Sequence, residues 1–207
     1  MFKGTPEIIA QRREEIIGAC EQLYETMSFK DITLKEISGV TSFSRPTIYN
    51  YFHTKEEIFL ALFEREYDRW NADLEKILNS KKNFADKELA DQIAKSLERR
   101  KQLLKLLSMN NYDMEANSRE DLLASFKRAY GKSLTLFREI LRKYNSDMDG
   151  AEVEQIMYIF FPFMFGIYPY AEVTAKQKEA MAEAEVDFKY QSIYEITYNC
   201  LKRLLVK

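Results

Sequence analysis

The side chains best equipped for chemistry in this chain lie between Thr33 and Glu57, in the run TLKEISGVTSFSRPTIYNYFHTKEE. A threonine followed three residues later by a glutamate occurs twice there, at Thr33–Glu36 and Thr54–Glu57. Each pair has the spacing that caps a helix start by exchanging side-chain and backbone hydrogen bonds. Between the pairs, Ile37 and Val40 are spaced to face one core. Ser44 is placed to cap a second helix carrying Arg45, Pro46, Thr47, Ile48, Tyr49, Asn50, Tyr51 and Phe52. Two short helices around a tight turn, the second rich in donors and aromatics, form a helix-turn-helix, and its chemistry is the reading of nucleic acid.

Within the second helix, Ile48 and Phe52 lie four apart and belong to the core of a small domain. Thr47, Asn50 and Tyr51 fall on other faces, with Arg45 at the exposed start. The Arg45 fork matches the two major-groove acceptors of guanine, while its plainer roles are a phosphate clamp or a salt bridge to a nearby acid. Tyr49 and Tyr51 could equally pack against a neighbouring helix, and Lys55 could be a solvated lysine. The whole chain carries a formal charge of −2, but between Thr33 and Lys55 the charged side chains Lys35, Arg45 and Lys55 against Glu36 leave +2. Binding depends on that local field. Helix starts at Thr33, Ser44 and Thr54 add backbone donors for phosphate.

Other chemistries lack their parts. His53 is the only histidine, and two distant cysteines, Cys20 and Cys200, offer no metal-ligand spacing. No serine or acid outside the segment has a histidine partner for a triad, and no glycine-rich phosphate loop is present. The sequence therefore reads as a non-enzyme without cofactor or metal. The cysteines read as buried thiols rather than a disulfide. Phe2-Lys3-Gly4 leads straight into an amphipathic helix with no leader peptide. The longest uncharged run, Ile156 to Ala171, is shorter than the about 20 residues of a membrane span and is interrupted by Pro162 and Pro169. A cytoplasmic protein is expected.

The run SRPTIYNYF followed by Lys55-Glu56-Glu57 resembles the DNA-binding domain of TetR-family transcriptional regulators. The wider pattern agrees: Ile16, Ala19, Cys20, Leu23 and Tyr24 on a first helix, Phe29 after its end, Thr33 opening the second, and Glu36-Ile37 inside it. The resemblance covers about a quarter of the chain. It departs at Ser28 and Ser42, where the family often has glycine. Serine there implies a turn that avoids left-handed geometry, or local strain. The resemblance implies that Tyr49 and Tyr51 meet the DNA backbone and that Lys55 contacts phosphate. It also implies a C-terminal domain that binds a small molecule and dimerises through its last helices.

The elements that must position these residues read as helix throughout. Helix one runs from about Pro6 to Met27. A long helix follows Thr54, with Phe59, Leu62, Phe63, Tyr67, Trp70, Leu74 and Ile77 inward, and ends at the polar break 79–83. Further helices span about Asp86 to Met109, ending near Asn110-Asn111, and from a cap at Asn117-Ser118 through Tyr144. Asp149 with Glu152 caps the aromatic run IMYIFFPFMFGIYPY. That run is either a helix buried all round or one that also lines a ligand cavity and an interface, kinked at Pro162. An alanine-rich helix spans Thr174 to Glu185, and a last helix from about Val186 to Leu205 buries Tyr190, Ile193, Thr197, Cys200 and Leu204.

The expected fold is all-α, with a three-helix DNA-binding domain over 1–54 and a larger helical ligand-binding and dimerisation domain over 55–207. The expected DNA-binding residues are Thr33, Lys35, Ser44, Arg45, Pro46, Thr47, Tyr49, Asn50, Tyr51, His53 and Lys55. Phe126, Tyr130, Phe137, Phe163 and Tyr168 are expected to line a largely apolar pocket. Ile156, Phe160, Met164, Ile167, Ile193, Thr197, Cys200, Leu201 and Leu204 are expected at a two-fold dimer interface. The expected partners are palindromic double-stranded DNA, a small largely apolar or aromatic ligand that releases a repressor, and a second copy of the chain. The other reading is a helical protein-interaction module that has lost DNA binding. It would carry acids or bulky apolar groups in place of Arg45, Thr47, Asn50 and Tyr51.

Overall fold

The computed structural model describes residues 5–109 and 111–206. Phe2 to Gly4 and Asn110, on which two of the sequence readings fall, lie outside the described residues. The described residues are all-α, with no strand among them. The elements are α1 (Pro6–Thr26), α2 (Leu34–Val40), α3 (Arg45–Ile48), α4 (Lys55–Leu78), α5 (Asp86–Glu98), α6 (Lys101–Leu107), α7 (Asn111–Ala116), α8 (Glu120–Tyr144), α9 (Gly150–Ala171), α10 (Ala175–Glu183) and α11 (Ile193–Leu205). None of the described helices is by itself long and apolar enough to cross a membrane.

Contacts divide the chain into two compact units. The first is the N-terminal stretch through Glu66 together with the stretch that ends at Ala129; the second is Tyr67–Met109 with the chain from Tyr130 onward. The contacts part after Glu66 rather than after Thr54, and a second stretch of chain joins the first unit. Helices α4 and α8 each contribute residues to both units.

In the first unit, Ile16, Cys20, Tyr24, Ile32, Ile37, Ile48, Phe52 and Phe59 form the buried core. Tyr24 and Phe29 both meet Phe59 edge-on, the arrangement aromatic rings prefer. Val40, expected in the core beside Ile37, is 42% exposed because α2 ends there. The serines at the two helix ends carry no strain. Glu185 is the only described non-glycine residue with positive φ. Ser28 donates to Asp31 at 2.6 Å, and the Ser42 N–H donates to the Glu15 carboxylate at 2.6 Å. The turns thus avoid left-handed geometry, and side-chain bonds supply what a glycine cap would.

In the second unit, α5, α9 and α11 pack together and α6 lies on α9. Three devices set the helix boundaries. Asp149 and Glu152 form the reciprocal cap that starts α9. The helix expected over 86–109 breaks between α5 and α6, at Arg99–Arg100. The break brings the Arg100 Nε and a terminal nitrogen onto the Asp73 carboxylate at 2.9 and 2.6 Å. Asp73 is only 3% exposed, so its charge needs that partner. Finally, α10 ends in a Schellman turn: Val186 N–H donates to Met181 and Glu185 N–H to Ala182. Glu185 holds the left-handed position at φ 52. The last helix therefore begins at Ile193, capped by Ser192 and Glu195, rather than at Val186. Tyr190 lies in the preceding extended stretch, 45% exposed.

Helix α9 runs unbroken through Pro162 and Pro169. Both prolines lie on its exposed side, and the carbonyls they leave unpaired belong to Tyr158 and Phe165, which are exposed residues. The cysteine thiols are free, Cys20 buried and Cys200 half-buried, and burial pushes both up from the ordinary thiol value.

Candidate nucleic-acid interface and ligand cavities

Helix α2 starts from Thr33, whose hydroxyl accepts from Lys35 N–H at 3.2 Å. The Glu36 carboxylate takes its main bond from the Thr33 hydroxyl, so the expected reciprocal box closes chiefly side chain to side chain. Helix α3 is a single turn of 4 residues. Ser44 caps no backbone group; its hydroxyl pairs with that of Thr47 at 3.1 Å. Past Ile48 the chain continues as turns, with Asn50 N–H on Thr47 and the Tyr51 and Phe52 N–H groups on Ile48. The expected helix through Phe52 is therefore one turn followed by consecutive hydrogen-bonded turns.

This arrangement leaves Thr33, Lys35, Ser44, Arg45, Pro46, Tyr49, Asn50 and His53 exposed, with Thr47 half-buried. No acid stands among them. Among the described residues Arg45 meets no carboxylate. Its guanidinium lies along Tyr49, 3.4 Å from the hydroxyl and 5.9 Å from the ring centre. The fork is steadied but keeps most of its donors unspent.

Two expected contacts are placed otherwise. Tyr51 is 5% exposed, and its hydroxyl accepts from Arg12 at 3.2 Å. It packs within the unit and does not present a ring to solvent. Lys55 Nζ donates to the carbonyls of Phe29 and Ile32 at 2.8 and 3.1 Å and sits 4.2 Å from the centre of the Phe29 ring. Lysine has three donors, and Lys55 spends two of them holding the loop between α1 and α2. Sequence spacing could not show this, because the carbonyls lie more than twenty residues earlier in the chain.

Sequence reasoning missed one part of the site. Glu57, 1% exposed, receives the His53 N–H at 2.7 Å and the Arg119 backbone N–H, Nε and a terminal nitrogen at 3.2, 2.8 and 3.1 Å. Arg119 also donates to the Tyr51 carbonyl at 3.1 Å. Thr54 accepts from Glu57 N–H and donates to the Asn117 carbonyl. Burial alone would raise the Glu57 carboxyl, but the bonds from Arg119 and His53 outweigh it and hold it below the ordinary glutamate value.

The expected pocket residues do not share one cavity. Phe126 belongs to the first unit and stacks obliquely on Phe63 at 4.8 Å. Phe137 is fully buried in the second unit, stacked on Phe160 at 4.9 Å and edge-on to Phe161 at 5.6 Å. It is core. Tyr130 lines a cavity of about 240 Å³ with Leu134, Arg138, Glu154, Met157, Tyr158, Phe161 and Pro162. Arg138 and Glu154 bond there through two contacts, at 2.5 and 3.1 Å. That bond lowers the Glu154 carboxyl and raises Arg138. Phe163 lines a separate cavity of about 470 Å³ with Gly166, Tyr170, Phe188, Lys189, Gln191 and Ile196. Tyr168 is half-buried and lines neither.

The expected dimer residues are mostly core of one chain. Ile156, Phe160, Met164, Ile167, Ile193, Thr197 and Leu201 are at most 6% exposed, and only Cys200 and Leu204 are half-open. A helix that is apolar all round does not reveal which face its own subunit covers. The uncovered face of α9 is the opposite stripe: Tyr158, Ile159, Pro162, Phe165, Gly166, Pro169 and Tyr170.

Residues 64–189 match the family described as Tetracyclin repressor-like, C-terminal domain. A stretch of 53 residues is 34% identical to the HTH-type transcriptional regulator EthR of Mycolicibacterium smegmatis, covering 26% of this chain and 24% of that protein. The match thus spans about a quarter of the length of that relative. The fatty acid degradation regulator FadR of Bacillus halodurans superposes with a TM-score of 0.61 at 14% identity, over 99% of this chain and 97% of that one. FadR of Bacillus subtilis, solved in complex with stearoyl-CoA, gives 0.59 at 15% identity over 93% and 97%. The two superpositions carry the fold. The family match runs over more than half of the sequence, and this chain belongs to the TetR family.

Proposed function

We propose that the protein is a ligand-responsive transcriptional regulator of the repressor type, acting in the cytoplasm as a homodimer on a two-fold operator. The observation that carries this reading is the open face of Arg45, Thr47, Tyr49 and Asn50, which holds a guanidinium with most of its donors free and no acid. A module that had lost DNA binding would have no use for that combination. Thr33, Lys35, Ser44, Pro46 and His53 surround the face and supply donors to phosphate. Tyr51 and Lys55 support it from within. The test is enrichment of duplexes from a random-sequence pool, followed by gel-shift titration. Recovery of a palindrome with half-sites about one helical turn apart supports the reading; the absence of any enriched sequence overturns it.

The cavity beside Tyr130 matches the chemistry of a largely apolar ligand. Arg138 and Glu154 neutralise each other there, so the remaining lining is apolar apart from the hydroxyls of Tyr130 and Tyr158. That chemistry suits an aliphatic or aromatic group oriented by a tyrosine hydroxyl. An acyl chain, such as the one bound as stearoyl-CoA to the Bacillus subtilis regulator, has this character. At about 240 Å³ the cavity is smaller than the about 300–1,000 Å³ of most ligand sites, so it holds a short group unless it widens. Thermal-shift screening decides the class: apolar and aromatic hits support it, and hits confined to polyanions count against it.

The dimer forms on the uncovered stripe of α9 from Tyr158 to Tyr170, together with the half-open Tyr194, Tyr198, Cys200 and Leu204 of α11. Large apolar groups exposed at three- and four-residue spacing make a self-complementary surface across a two-fold axis. Beyond its own helix backbone and chain neighbours, nothing lies within 4 Å of where a Cβ would stand on Gly166, which leaves room there for a close partner backbone.

A further inference from the structure

We propose that Arg119 is a positioning residue for DNA recognition: it fixes the exit of the recognition segment, which α3 alone is too short to hold. The inference rests on the reading of that segment as DNA-binding and adds to it a residue far from the helix-turn-helix in sequence.

A helix of 4 residues makes too few internal hydrogen bonds to define its own orientation. The side chains presented at Tyr49 and Asn50 therefore depend on what grips the coil after Ile48. Three groups do. Arg12 donates to the Tyr51 hydroxyl at 3.2 Å, Arg119 donates to the Tyr51 carbonyl at 3.1 Å, and Glu57 accepts the His53 N–H at 2.7 Å. Glu57 and Arg119 are themselves joined through Nε and a terminal nitrogen. One guanidinium thus ties the carbonyl of Tyr51 to the carboxylate that holds His53. The planar fork meets both oxygens of Glu57 and the Tyr51 carbonyl at once, a geometry that the point charge of a lysine on its flexible stem does not reproduce. The arginine is held in turn, since its own N–H reaches Glu57 and its neighbour Asn117 takes the Thr54 hydroxyl at 2.9 Å.

The test uses the full chain with R119K, R119Q and E57Q, each checked for retained helicity and cooperative melting. Amide hydrogen exchange reads the grip without DNA, because the N–H groups of Tyr51, Phe52 and His53 are all bonded in the folded unit. Their exchange should speed by about tenfold or more in all three variants, while the buried amides of α1 and α4 stay slow. Unchanged protection in R119Q and E57Q overturns the grip; wild-type protection in R119K overturns the fork.

Duplexes enriched by the wild-type protein then read the consequence. R119Q should lose about tenfold of its preference for the enriched duplex over a mixed-sequence duplex of equal length, with the slope of log affinity against log salt unchanged. A slope smaller by about one means that Arg119 touches phosphate itself and overturns positioning. Faster exchange with undiminished preference overturns it as well. If the wild-type protein enriches no sequence, the DNA-binding reading falls, and the exchange result still decides whether Arg119 holds the segment.

Discussion

Two basic side chains at either end of the recognition segment have different work. Arg45 keeps its fork open beside Tyr49, so Arg45→Ala should cost about 1–3 kcal/mol of binding and relax base preference at one position of the half-site. Uniform weakening across all sequences in gel-shift titrations would mark it as a phosphate contact instead. Lys55 is committed to the carbonyls of Phe29 and Ile32. Lys55→Ala should therefore lower the melting temperature of the free protein, a change that a solvated lysine would not produce. Glu57 carries a pH signature. Its folded-state carboxyl is held below the ordinary value, so its contribution to stability is complete above the ordinary glutamate range and is lost as acid titrates through the lower folded-state value. Removing its partner by Arg119→Ala should destabilise by about 2 kcal/mol, short of the about 3–5 of a fully buried pair because Arg119 is 40% exposed. Acid melts of wild type and Glu57→Gln check the sign: the variant should be less stable at neutral pH and lose less on acidification.

Helices announce themselves in sequence where their signals are local. Asp149 with Glu152, and the inward stripe of α4 from Phe59 to Ile77, were legible because the partners sit within a turn or two. The break between α5 and α6 was not, since its cause is the buried Asp73 on another helix. Nor was the start of α11, seven residues later than expected, because Glu185 in the left-handed conformation turns the chain where no glycine marks it. That conformation carries a measurable strain of about 1 kcal/mol for an L residue. Glu185→Gly relieves it but frees the unfolded chain, so the net gain should be small, a rise of about 1–3 °C in melting temperature. A fall would mean that the Glu185 side chain contributes more than its backbone costs. The candidate site was legible in which residues stand exposed and illegible in what supports them. Arg45 and Asn50 follow from one short motif, whereas the pairing of Glu57 with a residue 62 positions away leaves no trace in local pattern.

For the whole molecule, the division of α9 between its own core and an uncovered stripe is the feature on which the proposed dimer rests. Ile159→Glu or Phe165→Glu, on exposed positions, should give a folded monomer near 24.5 kDa in sedimentation at low micromolar concentration. Ile193→Glu or Leu201→Glu, inside the chain's own core, should instead abolish cooperative folding. A wild-type protein that sediments as a monomer would remove the interface altogether. The first compact unit also draws residues from two separate stretches of the gene, because Asn117 and Arg119 complete what begins at Pro6. Modular engineering has to respect that seam. A chimera that grafts residues 1–66 onto a foreign sensor would strand the Glu57 carboxylate in the interior without its guanidinium. The graft should stay insoluble or bind DNA indiscriminately until Arg119 travels with it, or until Glu57 is exchanged for a neutral residue.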